Sequence, residues 1–290
     1  MKITEILSNK RVNLSYEFFP PRRDSSFDSV LAAAETVAGL NPAFVSITYG
    51  ASGGASHNTV RVADTVKNDL GITTLAHLTG ATLDEAEALD ILRELKGKGI
   101  ENILALRGDL VAGSESQRRQ SFHHASELIH FIKQHEPSFC VGAACYPEGH
   151  VESRDKKEDI LYLKLKQDFG ADFLTSQMFF DNNIFYNFMY RLRDAGITIP
   201  VVAGIMPIVS YEQIKKVGGL SGSNFPASFI NIADKFKYNP EAFRTAMINY
   251  TCTQIIDLIA NGVTNIHIYT MNRGETAERI HHNLGAILSI

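Results

Sequence analysis

The sequence predicts an α/β fold built on parallel strands, either a (β/α)8 barrel (a TIM barrel) or a doubly wound sheet. Three observations point there. Short β-rich runs alternate with amphipathic helical patterns from end to end, and eight such runs occur, each followed by a helical pattern. Several runs, such as Ile199-Pro200-Val201-Val202-Ala203, are nearly continuous in apolar residues, as strands buried on both faces tend to be. The 290 residues suffice for one barrel, a fold that takes about 250. No internal repeat, low-complexity tract or Pro/Ser-rich linker divides them, so a single domain over 1–290 is expected.

In order, the expected strands are Val12 to Phe18, Ala43 to Tyr49, Thr73 to His77, Asn102 to Leu106, Phe139 to Cys145, Phe173 to Phe179, Ile199 to Ile205 and Asn265 to Tyr269. Thr82-Leu83-Asp84-Glu85 has the form of a capping box, with the Thr hydroxyl and Glu carboxylate satisfying free amides at a helix start. Ala88, Leu92 and Leu95 then recur at helical spacing until Gly97 and Gly99. Near the C-terminus Ile248, Cys252, Ile255 and Ile259 form one apolar stripe, closed by Asn261-Gly262, with Pro240 near its start, where a missing amide costs little. Between Lys215 and Asn239 the chain is richer in Gly, Ser and Asn and reads as loop with a short extra helix.

Apolar residues make up 44% and charged residues 21%, enough for a sizeable core. Lys plus Arg (28) against Asp plus Glu (32) leaves a formal charge of −4, which argues against a nucleic-acid or anionic-membrane surface. Cys140, Cys145 and Cys252 are too few and too irregular for a disulfide framework or a CxxC metal site, and the first two read as inert core thiols. Met1 to Lys10 contains no apolar signal core, and no stretch approaches the roughly 18 to 20 apolar residues of a membrane span. The expectation is a soluble, reduced, cytoplasmic protein.

Nearly every expected strand ends in a polar or ionisable residue that a core would not accept. Glu17 interrupts Leu14-Ser15-Tyr16-Glu17-Phe18-Phe19 ahead of Pro20-Pro21; Thr48-Tyr49-Gly50 closes the second strand and His77 the third. Arg107-Gly108-Asp109 follows the fourth, Tyr146-Pro147-Glu148 the fifth, Gln177 lies near the end of the sixth, and Asn272-Arg273 follows the eighth. In a barrel these ends share one face, where such enzymes keep their sites. Each residue also has a plainer reading. Glu17 in an edge strand would simply face solvent, but its apolar neighbours suit a proton donor. His77 alone would be a satisfied core or loop histidine, and Arg107 would pair with Asp109 across the turn at Gly108. Gln177, among Met178, Phe179 and Phe180, reads as a buried amide in need of partners.

No metal is expected. His123-His124 and His281-His282 are adjacent pairs, whose side chains point apart, and neither HExxH nor CxxC is present. Gly50, Gly53 and Gly54 lack the spacing of a GxGxxG loop, so any dinucleotide has to be held by barrel loops.

Taken together, Glu17-Phe18-Phe19-Pro20-Pro21-Arg22, Val45-Ser46-Ile47-Thr48-Tyr49-Gly50, Ala76-His77-Leu78-Thr79, Leu104-Ala105-Leu106-Arg107-Gly108-Asp109 and Tyr146-Pro147-Glu148 resemble, in order and spacing, the methylenetetrahydrofolate reductases. So do Gln177-Met178-Phe179-Phe180-Asp181, Gly204-Ile205-Met206-Pro207 and Tyr269-Thr270-Met271-Asn272-Arg273. The resemblance runs from about Asn13 to Leu284, and the length matches the short bacterial form. It implies a (β/α)8 barrel carrying FAD at the carboxyl ends of the strands. Thr48, Tyr49, Ala51, His77, Arg107, Gly108, Asp109, His124, Ala125, Tyr146, His150, Asp159 and Lys166 match the family's FAD-contacting positions. Glu17, Asp109, Gln177, Gln213 and Arg273 match its folate positions, with Glu17 as general acid and Asp109 tuning charge between flavin and pterin. The implied reaction is ping-pong: a donor reduces the flavin, and the hydride then passes to methylenetetrahydrofolate.

Two departures concern the electron donor. Val217 stands where well-known bacterial members carry a stacking aromatic on the loop after the seventh strand, and the segment Glu115 to Gln120 is longer and more polar than theirs. The donor is therefore NADH, NADPH or a separate electron-delivering protein. Rival readings are a flavin-binding barrel subunit without folate activity, or a barrel flavoenzyme acting on an amine or imino acid. The family commonly forms homo-oligomers, which is the expectation here.

Overall fold

The eight apolar runs form eight parallel strands that close on themselves. In this computed structural model, which describes residues 1–21, 27–49, 55–108, 121–221 and 224–289, they are β1 (Asn13–Phe18), β2 (Val45–Ile47), β3 (Thr74–Thr79), β4 (Asn102–Leu106), β5 (Cys140–Cys145), β6 (Phe173–Ser176), β7 (Val201–Ile205) and β8 (Asn265–Tyr269). Each pairs with its neighbours in chain order, and β8 returns to β1 with Asn13 opposite Asn265 and Glu17 opposite Tyr269. Of the two architectures that strand–helix alternation allows, closure selects the (β/α)8 barrel.

Strand side chains alternate between two surroundings. Tyr16, Phe18, Ile47, Ile103, Ile266 and Ile268 pack in the large apolar layer between strands and helices. Leu75, Leu104, Phe173 and Val202 form a separate cluster with Phe44, as barrel-filling side chains do. The outer ring comprises α2 (Phe27–Ala38), α3 (Ala55–Asp64), α4 (Glu85–Gly97), α5 (Ala125–His135), α6 (Lys156–Asp168), α7 (Asn182–Asp194), α8 (Tyr211–Ser221), α9 (Ala227–Phe236), α10 (Pro240–Ala260) and α11 (Gly274–Leu284).

A short helix, α1 (Ile3–Leu7), plugs the barrel's amino-terminal mouth. Its Ile3, Ile6 and Leu7 join the interior cluster. Asparagines at the first positions of three strands tie it down. Asn102 accepts from Ile3 N at 2.8 Å and donates to Met1 O at 3.1 Å and Thr74 O at 3.2 Å. Asn13 donates to Ile6 O at 3.3 Å and Asn265 Oδ1 at 2.8 Å, and Asn265 donates to Leu7 O at 3.4 Å. These amides meet the carbonyls that a five-residue helix leaves unpaired.

Several expected boundaries move. β2 stops at Ile47 and β6 at Ser176, so Thr48, Tyr49 and Gln177 lie beyond the ladder. The capping box sits two residues later than expected: Asp84 Oδ1 accepts from Glu87 N at 2.9 Å, and Glu87 Oε2 from Asp84 N at 3.0 Å. Residues 80–82 form a 3-10 turn instead, and the extended Leu83 and Asp84 follow it, so Asp84 is the residue immediately before the helix. The stretch from Lys215 to Asn239 is mostly helix, α8 running to Ser221 and α9 filling 227–236. The apolar stripe of α10 and the Asn239 cap ahead of Pro240 stand as expected, with Asn239 Oδ1 accepting from Ala242 N at 3.1 Å.

Candidate active site

At the carboxyl mouth the inward positions change from apolar to polar. Glu17 on β1, Ser46 on β2, His77 on β3 and His267 and Tyr269 on β8 come together there. Glu17 is only 7% exposed, and its Oε2 lies 3.4 Å from Ser46 Oγ, 3.5 Å from His77 Nε2 and 3.8 Å from His267 Nε2. Ser46 Oγ is 3.1 Å from His267 Nε2, and His267 Nδ1 is 2.8 Å from Ser15 Oγ. The His267 ring stacks on Phe44 at 5.7 Å and meets Tyr269 edge-on at 5.3 Å. Burial holds the His77 imidazole down to about 4 against the pull of Glu17 in the other direction, with His267 lowering it further, so it is neutral at physiological pH. Its Nε2 makes no hydrogen bond. Burial, then the Glu17 carboxylate, raises the Tyr269 phenol well above its ordinary range.

The backbone under Glu17 is fixed from β8. Thr270 Oγ1 donates to Glu17 O at 2.7 Å; Asn272 accepts from Phe19 N at 2.8 Å and donates to Phe19 O at 2.9 Å. To make this clasp the chain places two non-glycine residues, Met271 (φ 53°) and Asn272 (φ 58°), in the left-handed region, a strained conformation that clusters at functional sites. Tyr269 reaches across the barrel to donate to Ser176 O at 2.6 Å. Gly204 permits that crossing, because a Cβ there would lie 2.1 Å from Ser176 O and 2.6 Å from Tyr269 Oη.

The cofactor positions implied by the resemblance line the rim from β2 to α6. Thr48 N donates to Phe18 O at 2.9 Å, and Tyr49 follows it, half-buried. Gly108 has φ +88°, and a Cβ there would lie 1.9 Å from Thr79 Cγ2, so only glycine makes this turn. Arg107 is held bidentate by Glu152, with Nη2 at 2.8 Å from Oε1 and a second bond from Nη1 to Oε2. Tyr146 and His150 meet edge-on at 4.6 Å, and burial lowers the His150 imidazole. Beside His150 opens a cleft of about 280 Å3 whose wall includes Glu148, bonded to Asn224 N at 3.0 Å. Lys166 Nζ donates to Ala144 O at 2.8 Å and is lowered by burial; Asp159 is buried and raised by the same cause. His124 caps α5 ahead of half-buried Ala125 and stacks near Tyr162 at 6.3 Å. A lysine and a carboxyl both perturbed by desolvation, on one helix at the rim, are candidates for binding charge and hydroxyls brought by a ligand.

The implied folate positions are more dispersed. Gln177 is exposed, which corrects the expectation of a buried amide: it is the first residue past β6, so its side chain emerges at the mouth, and its Oε1 accepts from Met178 N at 2.9 Å. Gln213 turns back to cap α8, accepting from Val209 N at 2.7 Å and Ser210 N at 3.1 Å. Arg273 is exposed at the start of α11. Val217 lies on α8, not on a loop, and is buried with Phe180, Phe225 and Phe229 in an apolar cluster. Arg22, Gly50, Ala51, Gly53, Gly54, Asp109 and residues 115–120 lie outside the described residues.

The structure thus joins Glu17 and His77, which the sequence reading assigned to different ligands, and it adds Ser15, Ser46 and His267, which that reading missed. The signal was strand alternation. Asn265, His267 and Tyr269 alternate with Ile266 and Ile268, so the polar set had to share the barrel interior. Cys140 and Cys145 are buried free thiols raised by burial, as inert core residues are. Among the described residues no group of three His, Cys, Asp or Glu side chains is placed to hold a metal, and no helix is long and apolar enough to cross a membrane.

Comparison with known proteins gives a consistent picture. A family model described as methylenetetrahydrofolate reductase matches residues 2–285. The chain is 34% identical over 294 residues to methylenetetrahydrofolate reductase 1 of Schizosaccharomyces pombe, covering 99% of this chain and 49% of that one. It is 33% identical over 275 residues to 5,10-methylenetetrahydrofolate reductase of Escherichia coli, covering 95% of this chain and 91% of that one. It therefore spans about half the length of the fungal and plant relatives it matches and nearly all of the bacterial one. Among solved structures, an uncharacterized protein from Clostridium thermocellum, described as binding two copies of 5-methyl-5,6,7,8-tetrahydrofolic acid, superposes with a TM-score of 0.69. At 13% identity, with 99% of this chain and 100% of that one covered, it supports the fold alone.

Proposed function

Because this chain belongs to the methylenetetrahydrofolate reductase family, we propose that it reduces 5,10-methylenetetrahydrofolate to 5-methyltetrahydrofolate, with FAD at the carboxyl mouth of a barrel formed by the whole chain. The observation that carries the reading is Glu17: a carboxyl group 7% exposed, with its backbone clasped from β8, at the floor of a mouth lined by polar groups. A buried carboxyl with a neutral imidazole, His77, beside it suits proton donation to a substrate nitrogen.

The rim residues fit the cofactor. Lys166 is half-buried and donates to the neutral Ala144 carbonyl, Arg107 carries a guanidinium fork suited to pyrophosphate oxygens, and Asp159 is a buried carboxyl suited to ribose hydroxyls. Thr48, Tyr49, Ala51, His77, Gly108, Asp109, His124, Ala125, Tyr146 and His150 complete the proposed binding set. When bound, FAD would supply the redox chemistry, linking two-electron oxidation of NADH, NADPH or an electron-delivering protein to reduction of the folate carbon.

The chain's own residues do the rest. Glu17 protonates folate N10, so that the five-membered ring opens to the iminium that accepts hydride. His77 stays neutral beside it, so it places no positive charge there that would hold Glu17 ionised. Gln177, exposed at the mouth, binds the pterin edge; Gln213 and Arg273 contact the remainder of the folate, and Asp109 adjusts charge between the two ligands. Val217 is buried, so it offers no stacking face to folate or nicotinamide. The protein is proposed to work in the cytoplasm as a homo-oligomer.

The test is anaerobic. The purified flavoprotein is reduced chemically and mixed with methylenetetrahydrofolate. Near-stoichiometric return of the oxidised flavin band is the expected result. A flavin that stays reduced contradicts the folate assignment and favours a partner subunit or an amine-oxidising barrel enzyme.

A further inference from the structure

Counting protons in the barrel interior assigns a partner to Glu17. A serine hydroxyl has one proton to donate, while its oxygen also accepts. Ser15 Oγ donates to the Ile266 carbonyl at 3.1 Å, and that carbonyl only accepts. Ser15 Oγ is therefore the acceptor in its 2.8 Å contact with His267 Nδ1, so Nδ1 carries the hydrogen. Nε2 is then either a bare lone pair or the second N–H of an imidazolium.

Ser46 decides between them. Its Oγ sits between His267 Nε2 at 3.1 Å and Glu17 Oε2 at 3.4 Å, with one proton to give. Two arrangements satisfy every group with the same number of protons. In one, protonated Glu17 donates to Ser46 Oγ and Ser46 donates to a bare Nε2. In the other, Nε2–H donates to Ser46 Oγ and Ser46 donates to the Glu17 carboxylate. They interconvert as the Glu17 O–H and the Ser46 O–H break while a new Ser46 O–H and an Nε2–H form, moving one proton and consuming no co-reactant.

We propose that Glu17, Ser46 and His267 hold the catalytic proton as one unit, with His267 the positioning residue that, by accepting from Ser46, keeps the Ser46 oxygen open to the Glu17 O–H, and Ser15 the residue that fixes its tautomer. This rests on the role of Glu17 given above. His267 is 1% exposed and stacked on Phe44, and Glu17 is 7% exposed, so the ion-paired arrangement carries the desolvation of two buried charges and the neutral one carries none. The resting unit is the neutral one, with the proton on Glu17, facing the mouth. Once Glu17 gives that proton to the substrate, its carboxylate is left with the Ser46 hydroxyl as donor, and the unit refills through the mouth when product leaves. Below His267 the chain of hydrogen bonds ends on a backbone carbonyl, which passes no proton on.

Two measurements test this on the flavin-loaded protein. Ser46→Ala removes the bridge and leaves Glu17 and His267 in place. The rate at which methylenetetrahydrofolate reoxidises the reduced flavin should fall about 10- to 100-fold, with flavin content unchanged. Ser46→Thr, which keeps the hydroxyl, should restore the parental rate. An unchanged rate in Ser46→Ala overturns the proposal, as does a Ser46→Thr rate no higher than that of Ser46→Ala. Independently of any variant, 15N spectra of ring-labelled histidine should show His267 with Nδ1 protonated and Nε2 bare; the opposite tautomer overturns it. Glu17→Gln separates the two levels: full folate turnover in that variant defeats the role of Glu17 itself, whereas loss there with no effect of Ser46→Ala defeats only the shared proton.

Discussion

The two mouths of the barrel use polar side chains for opposite ends. At the amino-terminal mouth Asn13, Asn102 and Asn265 are buried or half-buried, and their amides are spent on the carbonyls and amides of the plug helix and on one another. At the carboxyl mouth Glu17, His77 and His267 are as deeply buried, yet His77 Nε2 has no hydrogen bond, and Glu17 shares one weakly placed serine hydroxyl at 3.4 Å. A satisfied buried polar group adds stability, and an unsatisfied one takes it away. The first mouth is built to hold the fold closed. The second leaves hydrogen-bonding capacity unspent.

The largest effect expected from this contrast is on acid stability. His77 is held neutral at about 4 in the folded protein against 6.5 in the unfolded chain. The unfolded chain therefore binds the extra proton first, and stability present above pH 6.5 is lost as pH falls toward about 4. His77→Gln should remove about 3 kcal/mol of that loss, measured by urea unfolding at the two ends of the window. An equally steep loss in the variant would show that the carboxyl mouth carries no such penalty. Next comes the satisfied mouth: Asn102→Ala should destabilise by about 1–3 kcal/mol, because Ile3 N, Met1 O and Thr74 O lose their partner together. The rate of folate reduction in Asn102→Ala should match the parent's in a single-turnover assay at a temperature where both are folded; a slowed reaction would couple the mouths.

Away from both mouths, Asp84→Ala removes the α4 cap and should cost about 1 kcal/mol in chemical denaturation, a reference for an ordinary structural loss. The smallest effect is expected at Glu152, an exposed residue ion-paired with Arg107. Glu152→Gln removes the carboxylate charge opposite Arg107 and should tighten FAD binding about two- to fivefold at low salt, the range of a surface ion pair, by flavin fluorescence titration. Weaker binding would mean that Glu152 positions Arg107 instead of competing for it.

The fold was legible because parallel strands buried on both faces leave long apolar runs, and all eight were placed in order. Their ends were not. Tyr49 and Met178-Phe179 continue the apolar pattern past the last ladder hydrogen bond, so the runs at β2 and β6 read too long. The mouth was legible as polar residues interrupting those runs, which is how Glu17 and His77 stand out. Ser15, Ser46 and His267 were not, because a small hydroxyl or a lone histidine inside a strand looks like ordinary alternation until closure shows which strand faces which. β1 pairs with both β2 and β8, and that is what brings Ser46 and His267 to the same carboxyl. Gln177 misled for a related reason: its neighbours Met178, Phe179 and Phe180 are buried while it points out, since direction at a strand end depends on where the ladder stops. Val217 sat in a segment whose glycines suggested loop, and its place within a helix depended on packing against Phe229 and its neighbours.

The central claim is that the carboxyl mouth exists for chemistry at Glu17. The most direct measurement is the single-turnover rate at which methylenetetrahydrofolate reoxidises the reduced flavin in Glu17→Gln, with unfolding free energy measured on the same sample. The account predicts a rate lower by about 10²- to 10⁴-fold with bound flavin retained and stability equal to or above that of the parent. A parental rate would contradict the claim, as would a variant that loses stability in proportion to its activity, because Glu17 would then be one more residue holding the barrel together.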